Sequence, residues 1–151
     1  MSANDFGLSD INRLAADLTD LPNLIYAEVK KSMQQTAMET KKVHQKEATK
    51  GPGGRQYAAT IDYTLEGVGV GNGRAGGTIS VEVGPNLERY GGKTGKGGLI
   101  PSLGFLDDPE STGGISSPPT RARREAEKFV EKELPRRLQI AVDESARRAN
   151  L

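Results

Sequence analysis

Eighteen of the 19 glycines in this 151-residue chain fall between Gly51 and Gly114. A glycine costs a helix interior about 1 kcal/mol relative to alanine. The middle of the chain is therefore closed to long helices, and the two nearly glycine-free ends are open to them. Strands and turns are what the middle can build. From Arg55 to Val83 the sequence reads as a β-hairpin. Tyr57, Ala59, Ile61, Tyr63 and Leu65 alternate with Ala58, Thr60, Asp62, Thr64 and Glu66; Ile79, Val81 and Val83 alternate with Thr78, Ser80 and Glu82. A period of two gives each arm one face to bury and one to wet. The connection, Gly67 to Gly77, is rich in glycine and carries Asn72-Gly73, a dipeptide suited to positive φ at both central turn positions. Ile61, Tyr63 and Val81 are the expected core.

The core should be small. Hydrophobic residues make up 34% of the chain, aromatics 5%, and there is no tryptophan. A chain this thinly filled gains stability by burying surface against a partner. Lysine plus arginine number 21 against 20 acids, which gives no general attraction to nucleic acid or anionic membrane. Without cysteine, disulfides and thiolate metal sites are excluded. Met1–Asp5 has neither the basic nor the apolar segment of a signal peptide, and no apolar run approaches the roughly 20 residues that span a bilayer. A soluble, unexported protein with no membrane contact is expected. The charges are unevenly placed: residues 1–20 hold four aspartates and one arginine, whereas residues 118–151 hold nine cations and six acids. Such an asymmetry suits either two solvated helix faces or two surfaces that meet between subunits.

A single domain is expected over 1–151, with helices in 1–50, the hairpin in 55–83, a long flexible loop in 84–117 and a C-terminal helix in 118–151. In the first part, Ser9 is placed to cap a short helix with Ile11, Leu14, Ala15 and Leu18 on one face. Asp20 is placed to cap a second, with Pro22 in its first turn. Ile25, Val29, Met33 and Ala37 continue a narrow apolar stripe, bordered by Gln34, Gln35, Thr36, Thr40 and Gln45, until Gly51-Pro52-Gly53-Gly54 stops the helix. In the loop, Leu99 to Leu106 is an apolar piece that Pro101 restricts to an edge or extended segment. Pro118-Pro119 suits the first turn of the last helix, whose stripe is Ala122, Ala126, Phe129, Val130, Leu134, Leu138 and Ala141. Pro135 interrupts that stripe, so a kink or break is predicted there. The fold class is α+β: a small antiparallel sheet built on a long hairpin and packed by N- and C-terminal helices.

Signals of chemistry are weak. Gly71-Asn72-Gly73-Arg74-Ala75-Gly76 fits G-x-G-x-x-G, but a dinucleotide site needs that motif between a strand and a helix, and here it joins two strands. Gly92-Lys93-Thr94 resembles the end of a phosphate-binding loop whose first glycine is replaced by Leu87. Asp107, Asp108 and Glu110 lack the spacing of a calcium loop. His44, the one histidine, has no second imidazole or thiolate with which to build a zinc shell, and is expected at the surface. No nucleophile, base and stabiliser are brought together by spacing. No cofactor, metal or catalytic residue is expected, and the protein is read as a non-enzyme. Arg121, Arg123 and Arg124, then Arg136, Arg137, Arg147 and Arg148, could meet phosphates. Interleaved glutamates and the lack of an aromatic platform favour an ion-paired, solvated helix.

The order of short motifs carries a resemblance. After a polar helix come Gly54-Arg55, a strand through Ile61-Asp62-Tyr63, a second closing on Val83-Gly84-Pro85-Asn86, then Tyr90, Gly104-Phe105-Leu106-Asp107-Asp108 and Pro118-Pro119 before a charged helix. This resembles the neck or tail-completion (head–tail joining) family of long-tailed bacteriophages, across most of the chain. Asp107-Asp108 departs from the family's usual Glu-Phe, and the glycine-rich loop is longer. Tail completion protein, tail terminator and another neck ring all remain open. The resemblance implies a structural virion protein, assembled in the host cytoplasm and located at the head–tail junction. It would form a ring, of six copies in the family's usual manner, between the head connector and the tail tube, with double-stranded DNA passing through the lumen without sequence recognition. Tyr90, Leu99, Ile100, Leu103, Phe105, Leu106, Asp107 and Asp108 would then be contacts to neighbours, and Arg121, Arg123 and Arg124 would face DNA. The alternative from another class is a small DNA-associated protein that uses the C-terminal arginines.

Overall fold

The computed structural model describes residues 8–51, 53–67, 77–86 and 121–150. Among them five elements follow in order: α1 (Leu8–Ala48), α2 (Gly54–Thr60), β1 (Ile61–Gly67), β2 (Ile79–Pro85) and α3 (Ala122–Arg148). The class is α+β, with a two-stranded antiparallel sheet laid on the long N-terminal helix and a C-terminal helix beside it.

The two helices expected in the first 50 residues are one, of 41 residues, which spans roughly 60 Å at 1.5 Å per residue. Ser9 lies inside its first turn rather than before it, and Pro22 lies well inside the helix. Proline frees the carbonyl four residues earlier, that of Leu18. Leu18 is 50% exposed, so water can meet the freed oxygen and the helix continues. α3, where a kink or a break was expected, is continuous through Pro135; the freed carbonyl belongs to exposed Glu131. The last helix begins at Ala122, after Arg121 in the left-handed region (φ 57°), and not at Pro118-Pro119, which lie outside the described residues.

The hairpin is shorter than the alternation suggested. Residues 55–60 are helical: Gly53 (φ 79°) and Gly54 (φ 48°) turn the chain into α2, and Ile61 leaves it in an extended conformation. Tyr57, Ala58 and Thr60 are buried and Ala59 is exposed, the reverse of the predicted strand faces at Ala58 and Ala59. An alanine on either face satisfies a period of two as well as a helix, so the pattern was ambiguous there. From Ile61 onward the alternation holds. Tyr63 opposes Val83, Leu65 opposes Val81, and Gly67 opposes Ile79. Ile61 is fully buried, while Tyr63 and Val81 are half-buried.

Two side chains of α1 hold β1 along it. The Lys41 ammonium lies 2.8 Å from the Asp62 carboxylate and 5.9 Å from the centre of the Tyr63 ring, and Gln45 donates to the Ile61 carbonyl at 3.1 Å. At the far end of the strand the Tyr26 hydroxyl lies where a Cβ on Gly67 would come within 2.8 Å of it. β1 therefore runs antiparallel to α1.

α3 packs chiefly on α1, also antiparallel. Arg137 bonds Glu39 at 2.6 Å and Arg148 bonds Glu28 at 2.7 Å, pairs that are eleven residues apart on both helices. Eleven residues are three helical turns, so both pairs fall on one seam. Between and beyond them the contact is made by small side chains. Of the nine buried apolar residues among those described, seven are alanine, and only Tyr57 and Ile61 are large. Thr36, Thr40 and Ser145 join them, because each hydroxyl donates to a carbonyl four residues back (2.7–2.8 Å) and presents little polarity to the interface. This widens the apolar stripe of α1 beyond what the sequence suggested. Ala48, Tyr57, Ala58, Ile61 and Ala122 form the core cluster that joins the ends of α1, α2, β1 and α3.

Overfilling that cluster is the direct test of small-residue packing. Ala122→Leu should lower the free energy of unfolding by about 1–3 kcal/mol in urea titration, with helicity retained in dilute buffer. The Tyr26 hydroxyl is buried without a hydrogen-bond partner among the described residues. In a double-mutant cycle, Gly67→Ala should cost about 0.5–1 kcal/mol more in the wild-type background than beside Tyr26→Phe, which removes the oxygen it meets.

Candidate docking groove

β2 and α3 each lean on α1, and the space between them is a cleft of about 680 Å³. Met33, Thr36, Ala37, Thr40 and His44 of α1 form its floor. Val81, Val83 and Pro85 of β2 form one wall, and Ala126, Val130 and Leu134 of α3 the other; Tyr57 closes one end. The hairpin's alternation aims Val81 and Val83 to one face, and the spacing of four between Ala126, Val130 and Leu134 puts them on one helix face. Arg123, Glu127 and Glu131 line the α3 rim, where Arg123 donates to Glu127 at 2.8 Å.

His44 is a correction to the sequence reading. It is 5% exposed, in the floor of this cleft. Only its neighbours in space, Thr40, Tyr57 and α3, reveal it; the lysines and glutamine around it in sequence mislead. The two threonines beside it commit their hydroxyl protons to helix carbonyls at Ser32 and Thr36. What the cleft offers a ligand is apolar area and shape. No group of three potential metal ligands occurs among the described residues.

A second, shallower groove of about 460 Å³ lies between α1 and α3 on the face away from the sheet. Met38 (42% exposed) and Ile140 (47%) lie along it, with Lys31, Lys42, Arg136 and Arg137.

Of the three arginines expected to face DNA, Arg121 and Arg123 are exposed and Arg124 is half-buried. Arg123 and Arg124 both have partners within the chain. Further along, Lys128 pairs with Glu125, Arg136 with Glu133 and Arg148 with Glu144, as the interleaved sequence suggested. The contact candidates Tyr90, Leu99, Ile100, Leu103, Phe105, Leu106, Asp107 and Asp108 lie outside the described residues, as does the glycine-rich hairpin connection from 68 to 76. No helix described is long and apolar enough to cross a membrane. Comparison with protein-family models, with curated proteins and with solved structures returns no match.

The α3 ion pairs set a pH dependence. The hydrogen bond from Lys128 holds Glu125 below the usual carboxylate range, and that from Arg136 does the same for Glu133. Groups with lowered pKa stabilise the fold above their unfolded pKa and lose that contribution as pH falls through the lowered value. Helicity followed by circular dichroism should therefore hold at neutral pH and decline on acidification. Glu125→Gln with Glu133→Gln should shrink the acid-dependent part of the decline.

Proposed function

We propose that this chain is a non-enzymatic, ring-forming subunit of the neck of a long-tailed bacteriophage, joining the head connector to the tail tube. Tail completion, tail termination and another neck ring are variants of the same role. The observation that carries the reading is the mismatch between a core made largely of alanine and the apolar surface left open outside it: the cleft beside β2 and the exposed leucines of α1. A chain built this way gains by meeting copies of itself or neighbouring rings. Neither β1 nor β2 has a second strand neighbour among the described residues, and strand edges invite pairing between chains. The order of motifs from Gly54-Arg55 to Pro118-Pro119 supplies the family. DNA would pass without base recognition, since the C-terminal cations are largely matched by acids along α3.

Electron microscopy of virions that carry the protein, labelled with an antibody against it, should place it at the head–tail junction. Its absence there would remove the assignment. Deleting Gly92–Gly98 should leave circular dichroism unchanged and reduce infectious yield by impairing head–tail joining. DNA binding that is strong at low salt and falls steeply with added salt would instead favour the DNA-associated reading.

A further inference from the structure

The outer edge of β2 opens into the cleft. Asn86 donates its backbone N–H to the Thr60 carbonyl at 2.7 Å, in the register of the hairpin. Opposed residues of an antiparallel pair alternate between exchanging hydrogen bonds and turning their main-chain groups outward. Gly84, Glu82 and Ser80 therefore bond to β1, whereas Ile79, Val81 and Val83 turn N–H and C=O away from it. Two features agree with this parity. The Ile61 carbonyl, outward on β1, accepts from Gln45, and Pro85, which has no N–H to lose, takes an outward position on β2. The cleft is lined by Val81, Val83 and Pro85 and, among the described residues, by none of β1, so it adjoins the outward edge. No other described strand pairs there.

We infer that this edge takes a single extended segment of a partner protein as a third strand, with apolar side chains at alternate positions toward α1. The inference rests on the assembly reading above and names the chemistry of the partner. Main-chain groups select the occupant. A helix bonds its own main chain, and an apolar small molecule has none, so either would leave the outward groups of Val81 and Val83 covered and unmet. An extended chain meets them as a ladder. The floor and walls set the side chains: those directed at Met33, Ala37, Val130 and Leu134 are apolar. Charge adds a cation on the α3 side, where Glu127 and Glu131 outnumber Arg123. The described elements of a second copy do not fit. Its β2 edge has its own α3 alongside, which would meet the α3 wall first, and its β1 edge is tied to its own α1 through Lys41 and Gln45.

The test titrates the full chain with a fluorescein-labelled peptide of about ten residues, long enough to run the length of a strand, in which valine alternates with lysine or threonine. Binding should slow amide exchange at Val81 and Val83, read by NMR. Two N-methylated versions, one blocked at the valines and the other at the residues between, decide the mode, because a strand turns only alternate N–H groups to its neighbour. One should bind about tenfold more weakly or worse, and the other as the parent does. Val81→Pro removes an outward donor and no bond to β1; it should weaken binding about tenfold, with circular dichroism unchanged. Glu131→Lys should weaken it about threefold. Absence of binding, equal effects of the two methylated peptides, or unchanged exchange at Val81 and Val83 overturns the proposal. So does a free chain in which those amides are already protected, which would assign the edge to residues 87–120 of the same chain. None of these results moves the head–tail assignment, which microscopy of virions decides separately.

Discussion

The antiparallel seam between α1 and α3 is the constraint on which the rest of the structure depends. Two ion pairs at equal spacing fix its register, and they are unequal partners. Glu28 is 9% exposed, and a carboxylate so withdrawn from water needs the Arg148 guanidinium opposite it. Arg137 is gripped from both sides, by Glu39 across the seam and Glu133 on its own helix. With α3 so placed, Ala122 arrives over Ala48, Tyr57, Ala58 and Ile61 and closes the core. The sheet is held by α1 through Lys41 and Gln45, so α1 is the element that everything else leans on.

Small residues make this seam possible and limit what it can do. Alanine, serine and threonine let two helix backbones approach, and threonine hides its hydroxyl by bonding to its own helix. The apolar area so buried is modest per residue. Larger apolar side chains, among them Leu14, Leu18, Met38 and Ile140, are left outside the core. The cleft gathers valine, leucine and alanine around His44, with Tyr57 at one end and Arg123, Glu127 and Glu131 along its rim.

The charge pattern acts at two ranges. Along α3, cations and acids three or four residues apart neutralise one another, which leaves little of the helix to act as a polycation. Across the fold, basic residues near the end of the chain meet glutamates of α1.

Much of this architecture was legible in the sequence. The glycine partition placed helices at the ends and strands in the middle, and the alternation from Ile61 to Leu65 and Ile79 to Val83 fixed which side of each strand is buried. The α3 stripe from Ala122 to Ala141 was likewise correct, because a helical period depends only on nearest neighbours along the chain. What sequence alone decided wrongly were cases where distant groups outvote local ones. Pro22 lies inside one long α1 rather than in the first turn of a second helix, and its freed carbonyl sits at exposed Leu18. Residues 55–60 became a helix because Ala58 finds the core at Ala48 and Ala122. His44, Thr36 and Thr40 were buried by the approach of β2 and α3, and the open cleft exists only because those two elements lean on α1 without closing on each other. Local pattern determined which segments are rods and which are ribbons; only the tertiary structure decided which polar groups lose their water and which apolar ones keep it, because that depends on what lies across from each residue rather than beside it.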